Sequence, residues 1–272
     1  SHTGDNNSAS VTQSGDDNFG VAFQGVGISD DYETLILDTF EEIFGEEIDA
    51  DALAFLSPFA GLTGTSNADG NTSDIEQSGD DNLALVFQGL NSDAEDNLSD
   101  VLQSGNENTA LVDQNQDVEG NDSFITQSGD NNLATVIQLS DDNTSTITQS
   151  GDDNTANVLQ EDDEENSATI NQSGEDNTAS ILQTGANNTA DITQSGDENS
   201  AVNVTQEGDD NSAEIDQTGD NNVIGQVDGM LQRGDDNSAD LTQSGDDNIF
   251  SSVTQIGNNN KIVGNQYGDE NI

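Results

Sequence analysis

Asn143-Thr-Ser-Thr-Ile-Thr-Gln149-Ser-Gly-Asp-Asp-Asn154-Thr-Ala-Asn-Val-Leu-Gln160 is the stretch that decides how this chain folds. Asn154, Ala156, Val158 and Gln160 stand two residues apart, as do Asn143, Ser145, Ile147 and Gln149. A period of two is that of a β-strand carrying those four side chains on one face. The residues between them are mostly Ser, Thr, Asp or Asn, and these face outward. Gly151, two residues after Gln149, supplies the permissive backbone that a tight turn requires.

The phrase recurs along the chain with a period of about 11 residues that doubles to about 22, the mark of a stacked repeat rather than a globular enzyme. One strand of this kind buries a small residue and one branched aliphatic, too little to fold alone. Copies must stack about 4.8 Å apart so that like residues form columns. The aliphatic position reads Val11, Ile75, Val86, Val101, Val112, Ile125, Val136, Ile147, Val158, Ile170, Ile181, Ile192, Ile215 and Leu241. Buried Asn and Gln are costly alone, but amides in register satisfy one another between layers.

Two kinds of turn alternate. After Gln13, Gln77, Gln103, Gln127, Gln149, Gln172, Gln194, Gln217 and Gln243 the next Asn follows five residues later. After Gln24, Gln88, Gln114, Gln138, Gln160, Gln183, Gln206, Gln232 and Gln255 the spacing varies. One coil is therefore strand, tight turn, strand, variable turn. The expected fold is all-β: an amyloid-like β-solenoid with two strands per coil, about nine and a half coils, and a short helical insertion. Residues 1–24 form the first coil, 25–70 the insertion and 71–272 the remaining repeats. Extra residues in 199–206, 222–232 and 248–255 read as bulges.

Within the insertion, Tyr32, Leu35, Ile36, Phe40, Ile43, Phe44 and Ile48 recur at three and four, the spacing of an amphipathic helix. A partner for it is visible in outward positions that are unusually apolar: Phe19, Val21, Phe23, Leu83, Leu85, Phe87, Leu111, Leu133 and Ile137. The helix is expected to cover that stripe; a lateral contact with another filament is the rival reading.

The 56 acidic residues stand against two basic ones, Arg233 and Lys261, for a net charge of −54. Such a chain has no electrostatic affinity for nucleic acid or an anionic membrane. Low hydrophobicity with high charge would ordinarily read as disorder, but disordered acidic chains do not keep alanine and isoleucine in register. No cysteine is present, so disulfides and thiolate chemistry are excluded. No apolar run is long enough to cross a membrane. The single histidine, His2, lies at the terminus, so no catalytic histidine is expected. The chain starts without a basic or apolar leader, so export is expected to follow removal of a signal peptide.

The spacing Gln149-x-Gly151-x-x-Asn154-x-Ala156-x-x-x-Gln160 resembles the curlin repeat of curli-type fibre subunits. The resemblance extends over about residues 1–24 and 71–272. It implies a secreted functional amyloid that polymerises outside the cell, often on a nucleator, after passing a dedicated secretion system. It also implies that the amide ladders carry assembly: Gln13, Asn18, Gln24, Gln77, Asn82, Gln88, Gln103, Asn108, Gln127, Asn132, Gln138, Gln149, Asn154, Gln160, Gln172, Asn177, Gln183, Gln194, Asn199, Gln217, Asn222, Gln243, Asn248 and Gln266. Unlike the Gly-rich, near-neutral turns of the family, these turns are acidic, and the insertion is not part of the family pattern.

Stacking would place Asp16, Asp17, Asp80, Asp81, Asp152, Asp153, Asp176, Asp197, Asp246 and Asp247 along one edge. Unit charges about 4.8 Å apart repel by roughly 0.9 kcal/mol even in water. Molar salt would screen this, and Ca²⁺ bridging carboxylates between coils would offset it. The Asp-Asp turn is not the nonapeptide calcium repeat. Paired carboxylates on an exposed edge build no catalytic pocket, so no enzyme is expected.

The leading reading is a self-polymerising fibre subunit, the chain beginning and ending in turns without polar caps. A binding module is the alternative: outward Thr126, Thr148, Thr193 and Thr242 share a column that could meet ice or carbohydrate, or serve a Ca²⁺-dependent adhesin. A nucleator or minor fibre subunit is a third possibility on the same architecture.

Overall fold

The offset-two phrase does fold as strands, and the strands do stack. A computed structural model of the protein describes residues 6–24, 69–89, 94–115, 118–225 and 229–271. Its strands form two parallel sheets, each layer hydrogen-bonded to the same phrase one coil away. The first sheet has ten strands, running from Ser8–Ser14 through Thr144–Ser150 to Lys261–Tyr267. The second, of 11 strands, runs from Phe19–Gln24 through Thr155–Asp162 to Val253–Ile256. Successive strands of the chain alternate between the sheets, giving two strands per coil.

Register is kept by the pattern, because a slip of one residue would turn every apolar side chain out to solvent. In the second sheet Ala156 pairs with Ala134 and Ala179, Val158 with Val136 and Ile181, and Gln160 with Gln138 and Gln183. The aliphatic position divides into two facing columns. Ile125, Ile147, Ile170 and Ile192 stack in the first sheet; Val136, Val158, Ile181 and Val204 stack in the second. With the alanines they make one continuous core along the solenoid. Each coil contacts its neighbours, so stability accrues by nearest-neighbour stacking.

The tight turn is dictated by its glycine. Gly151 sits at φ 116°, and a Cβ there would lie inside van der Waals contact of the Gly174 carbonyl oxygen in the next coil. No other residue fits this close approach. Gly151 N–H in turn donates to Ser128 O at 2.9 Å, and Asp153 N–H to Asp130 O at 3.0 Å, so the turns stack as tightly as the strands.

The bulge expected in 199–206 is present: the register shifts between Ala179 and Ile181, and Asn203 takes φ 55°. In the next two coils the extra residues break the strand instead. Val223–Ile224 and Met230–Arg233 form one layer, Ile249–Phe250 and Val253–Ile256 the next. The breaks stack over the first bulge, since Met230 and Val253 continue the Val204 column. The helix expected in residues 25–70 falls, apart from residues 69 and 70, outside the described residues. Leu85, Phe87 and Leu111 point outward from the second sheet and are nevertheless 1%, 2% and 5% exposed, with Phe23 and Phe87 stacked at 5.4 Å. Among the described residues no helix is long and apolar enough to cross a membrane.

Candidate functional site: the amide ladders

Glutamine closes each strand because its amide reaches three partners at once. Gln149 accepts at Oε1 from Gln127 Nε2 at 2.9 Å and donates through Nε2 to Gln172 Oε1 at 2.9 Å. Its second N–H crosses the core to Leu133 O, in the opposite sheet, at 3.0 Å. The pattern holds along both sheets, from Gln13 to Gln77 at 2.6 Å through Gln243 to Gln266 at 2.8 Å, and from Gln24 to Gln88 at 2.9 Å through Gln232 to Gln255 at 2.8 Å. Within each glutamine column the amide N–H points to the coil that follows in sequence.

Asparagine opens each strand and runs the other way. Asn154 donates through both its backbone N–H and Nδ2 to Asn132 Oδ1 in the preceding coil, each at 3.1 Å. A further Nδ2 bond reaches Gly174 O in the turn ahead at 2.9 Å. Asn18, Asn82, Asn108, Asn132, Asn154, Asn177, Asn199, Asn222 and Asn248 form this column without a gap. The Gln and Asn amide dipoles therefore run in opposite senses, which offsets the field that a single aligned column would build.

The ladder is longer than the sequence reading made it. Gln114, Gln206, Gln232 and Gln255 belong to it. A second asparagine column also runs along the variable edge, from Asn71 to Asn260, each backbone N–H donating to the preceding Oδ1. The signal was present: these asparagines stand at the same offset from the aliphatic residue as those of the tight edge. The core amides from Gln77 to Gln243 are essentially free of solvent contact. A hydrogen bond of this kind contributes about 1 kcal/mol, while an orphaned buried amide costs about 1–3 kcal/mol.

The acidic edge has a structural part that spacing alone did not disclose. In most tight turns the first acid, an aspartate, accepts a backbone N–H from the coil before. Asp80 Oδ1 takes that of Asp16 at 2.8 Å, Asp152 that of Asp130 at 2.9 Å, Asp197 that of Glu175 at 2.9 Å and Asp246 that of Asp220 at 3.1 Å. Asn106 fills the same role toward Asp80. The second acid takes left-handed φ: 53° at Asp17, 57° at Asp81, Asp153 and Asp247, and 56° at Asp176. Short polar side chains tolerate that conformation best after glycine. These second carboxylates are exposed. Among the described residues, no group of three or more His, Cys, Asp or Glu side chains is placed to hold a metal ion.

Carboxylates on the strands are less comfortable. Burial raises Asp100, with Asp74 and Glu76 beside it adding to the effect, and burial raises Asp191, with Asp216 contributing. Asp113, between Phe87 and Ile137 in the outer column of the second sheet, is pushed up to about 6 by desolvation. The Asn115 amide, 2.5 Å away, offsets part of that. Arg233 and Glu207 form a salt bridge between adjacent layers, and it holds the Glu207 carboxyl below its ordinary range.

Amide-laddered two-strand coils define a class of stacked β-solenoid built for regular repetition. Residues 119–151, 164–196, 196–225 and 234–268 each match the model of the curlin associated repeat, and the chain is a curlin-repeat protein. The coils before residue 119 share the register and ladders of the matched ones. No curated protein and no solved structure matches the chain.

Proposed function

We propose that the chain is a secreted structural subunit that stacks end to end into curli-like amyloid fibres at the cell surface, as part of a biofilm matrix. The observation that carries this reading is the equivalence of the layers. Gln127 gives Gln149 the same bond that Gln149 gives Gln172, and Asn177 gives Asn154 the same bond that Asn154 gives Asn132. A layer from a second copy would meet the same donors and acceptors, so joining two copies uses the bonds that join two coils. Such a head-to-tail contact does not close and extends as a filament.

The net charge of −54 sets the conditions for that growth. Molar salt shortens screening to about 3 Å, less than the coil spacing, and is the proposed setting; Ca²⁺ bridging between acidic turns is the second way to offset the repulsion. A nucleator subunit and a dedicated secretion system would serve the same role as in other curli-type fibres. Electron microscopy of the purified chain in molar NaCl tests the reading. Unbranched filaments with a cross-β spacing of about 4.8 Å are expected. Discrete single particles under all salt and Ca²⁺ conditions would overturn it. Chelator treatment then separates the two ways of handling charge: calcium-bridged edges loosen, salt-screened ones persist.

A further inference from the structure

The two outer faces of the solenoid are chemically unlike. On the first sheet, outward positions carry Asp74, Glu76, Asp100, Asp122, Asp191, Glu214, Asp216 and Asp240. On the second sheet, from the Leu133–Gln138 strand onward, no described outward position between the Asn and Gln of a layer is charged. Those positions are Thr, Ser, Asn and aliphatics, and one column runs Ile137, Leu159, Leu182, Thr205, Leu231, Thr254. Its aliphatics are half-exposed, whereas the same stripe in earlier coils is already buried at Leu85, Phe87 and Leu111. A shallow groove of about 280 Å³ opens in this face beside the bulge at Asn203, lined by Ile137, Leu159, Leu182 and Thr205.

We propose that this uncharged face of the second sheet is a lateral interface, and that its occupant is the same face of a second copy of this chain. Charge selects the partner. Two copies of net charge −54 repel wherever acidic turns or the first sheet come together, and the second-sheet face is the broad surface on which they meet without opposing carboxylates. Area permits it. Six layers about 4.8 Å apart and strands of about seven residues at 3.3 Å cover roughly 600 Å² per copy, or about 1,200 Å² in the pair. That reaches the lower end of the range for a specific interface. A two-fold contact sets the aliphatic column of one copy against that of the other, with the flanking Thr and Ser rows at its rim. This pairing is lateral and independent of end-to-end growth, so it is open to the unassembled chain as well as to a fibre.

The test compares the full chain with Leu159→Asp/Leu182→Asp on the second sheet and with Thr169→Asp/Thr193→Asp on the first. Mass per unit length of fibres and light scattering of unassembled chain, both in molar NaCl, give the number of solenoids side by side. Two are expected for the full chain and the first-sheet variant, and one for the second-sheet variant, whose pairing should need a roughly tenfold or higher concentration. Leu159→Thr/Leu182→Thr serves if the aspartates prevent folding, since Thr205 and Thr254 already occupy that column; it should weaken pairing in the same direction. A single solenoid in wild-type fibre and solution alike overturns the proposal, as does undiminished pairing in the second-sheet variants. Absence of fibres with paired chains in solution would instead count against end-to-end growth and leave the lateral interface standing.

Discussion

The coils between residues 69 and 160 and those between 166 and 271 build the same ladders from different surroundings. In the earlier coils the small inward position of the first sheet is serine, at Ser73, Ser99, Ser123 and Ser145, and each hydroxyl is buried without a hydrogen-bond partner. In the later coils it is alanine, at Ala168, Ala190, Ala213 and Ala239. The earlier variable turns differ in length, whereas from Gln183 onward both edges take the five-residue spacing. The carboxylate contact of the first edge recurs on the second in both halves: Glu119 N–H donates to Asp141 Oδ1 at 2.8 Å and Ala186 N–H to Asp209 Oδ1 at 3.1 Å. The difference teaches which features the coil requires. The glutamine ladder of each sheet, the asparagine column of each edge, one aliphatic pair and one tight edge suffice; the length of the second edge and both outer faces are free to diverge.

If the ladder is the shared requirement, breaking it should cost the same in either half. Gln149→Ala and Gln194→Ala each remove an amide that bonds the coils on both sides and the opposite sheet. Each should destabilise by about 3–5 kcal/mol, the sum of a cavity and orphaned neighbours. Urea unfolding would measure it, and a much smaller loss in one half would end the claim of equivalence.

The two edges should respond unequally to insertion. Two glycines added within Glu161–Glu165 lengthen a turn that is already irregular and should cost less than about 1 kcal/mol. The same insertion between Ser150 and Asp153 displaces the Gly151 and Asp153 backbone bonds and the contact from Asp130 N–H to Asp152. A loss of about 2–4 kcal/mol is expected there. Equal tolerance would mean that the tight turn follows from the strands instead of fixing them.

Much of this organisation could be read from the chain because a two-residue period and a repeat of about 22 leave few alternatives. Strand faces, register, the alternation of turns and the ladder all follow from the positions of Asn, Ala, the aliphatic and Gln. What escaped is what spacing does not encode. That the aliphatic residues make two facing columns depends on which sheet each strand joins. That Asp152 holds the Asp130 N–H depends on a turn conformation that no periodicity specifies, so its carboxylate read only as surface charge or a Ca²⁺ ligand. The insertion at 222–232 breaks its strand because a parallel ladder has no room for several extra residues between paired positions, and 248–255, with the same single extra residue as 199–206, breaks where it stacks on that layer.

Asp113 sits within the earlier half, where the outer column passes from Phe87 to Ile137, and pH can probe it. Its folded pKa of about 6 lies above the unfolded carboxylate value, so the folded form binds the proton more tightly. Ionised Asp113 therefore subtracts from stability above about pH 6, and that loss is recovered as pH falls from about 6 toward 4. Asp113→Asn should raise stability at pH 7 by about 1–3 kcal/mol and remove this component of the pH dependence. A wild-type and variant difference that stays constant between pH 4 and 7 would show that the site is solvated.

The smallest effect bears most directly on the contrast between serine and alanine coils. A buried hydroxyl without a partner costs about 1 kcal/mol or more, and alanine in its place loses no bond. Ser99→Ala and Ser123→Ala should each stabilise the solenoid by about 0.5–1.5 kcal/mol, while Ala190→Ser and Ala213→Ser should destabilise it by a similar amount. The serines stack on one another at the coil spacing, too far apart for direct hydroxyl contact. A water between successive hydroxyls is the one arrangement that would satisfy them. Were that column hydrated, the first Ser→Ala replacement would strand the water and its neighbours, and the sign would reverse. Thermal unfolding of the single and double alanine variants therefore reads the state of the column. Additive stabilisation means dry, unpaired serines, whereas a penalty at the first substitution followed by relief at the second means a hydrated row.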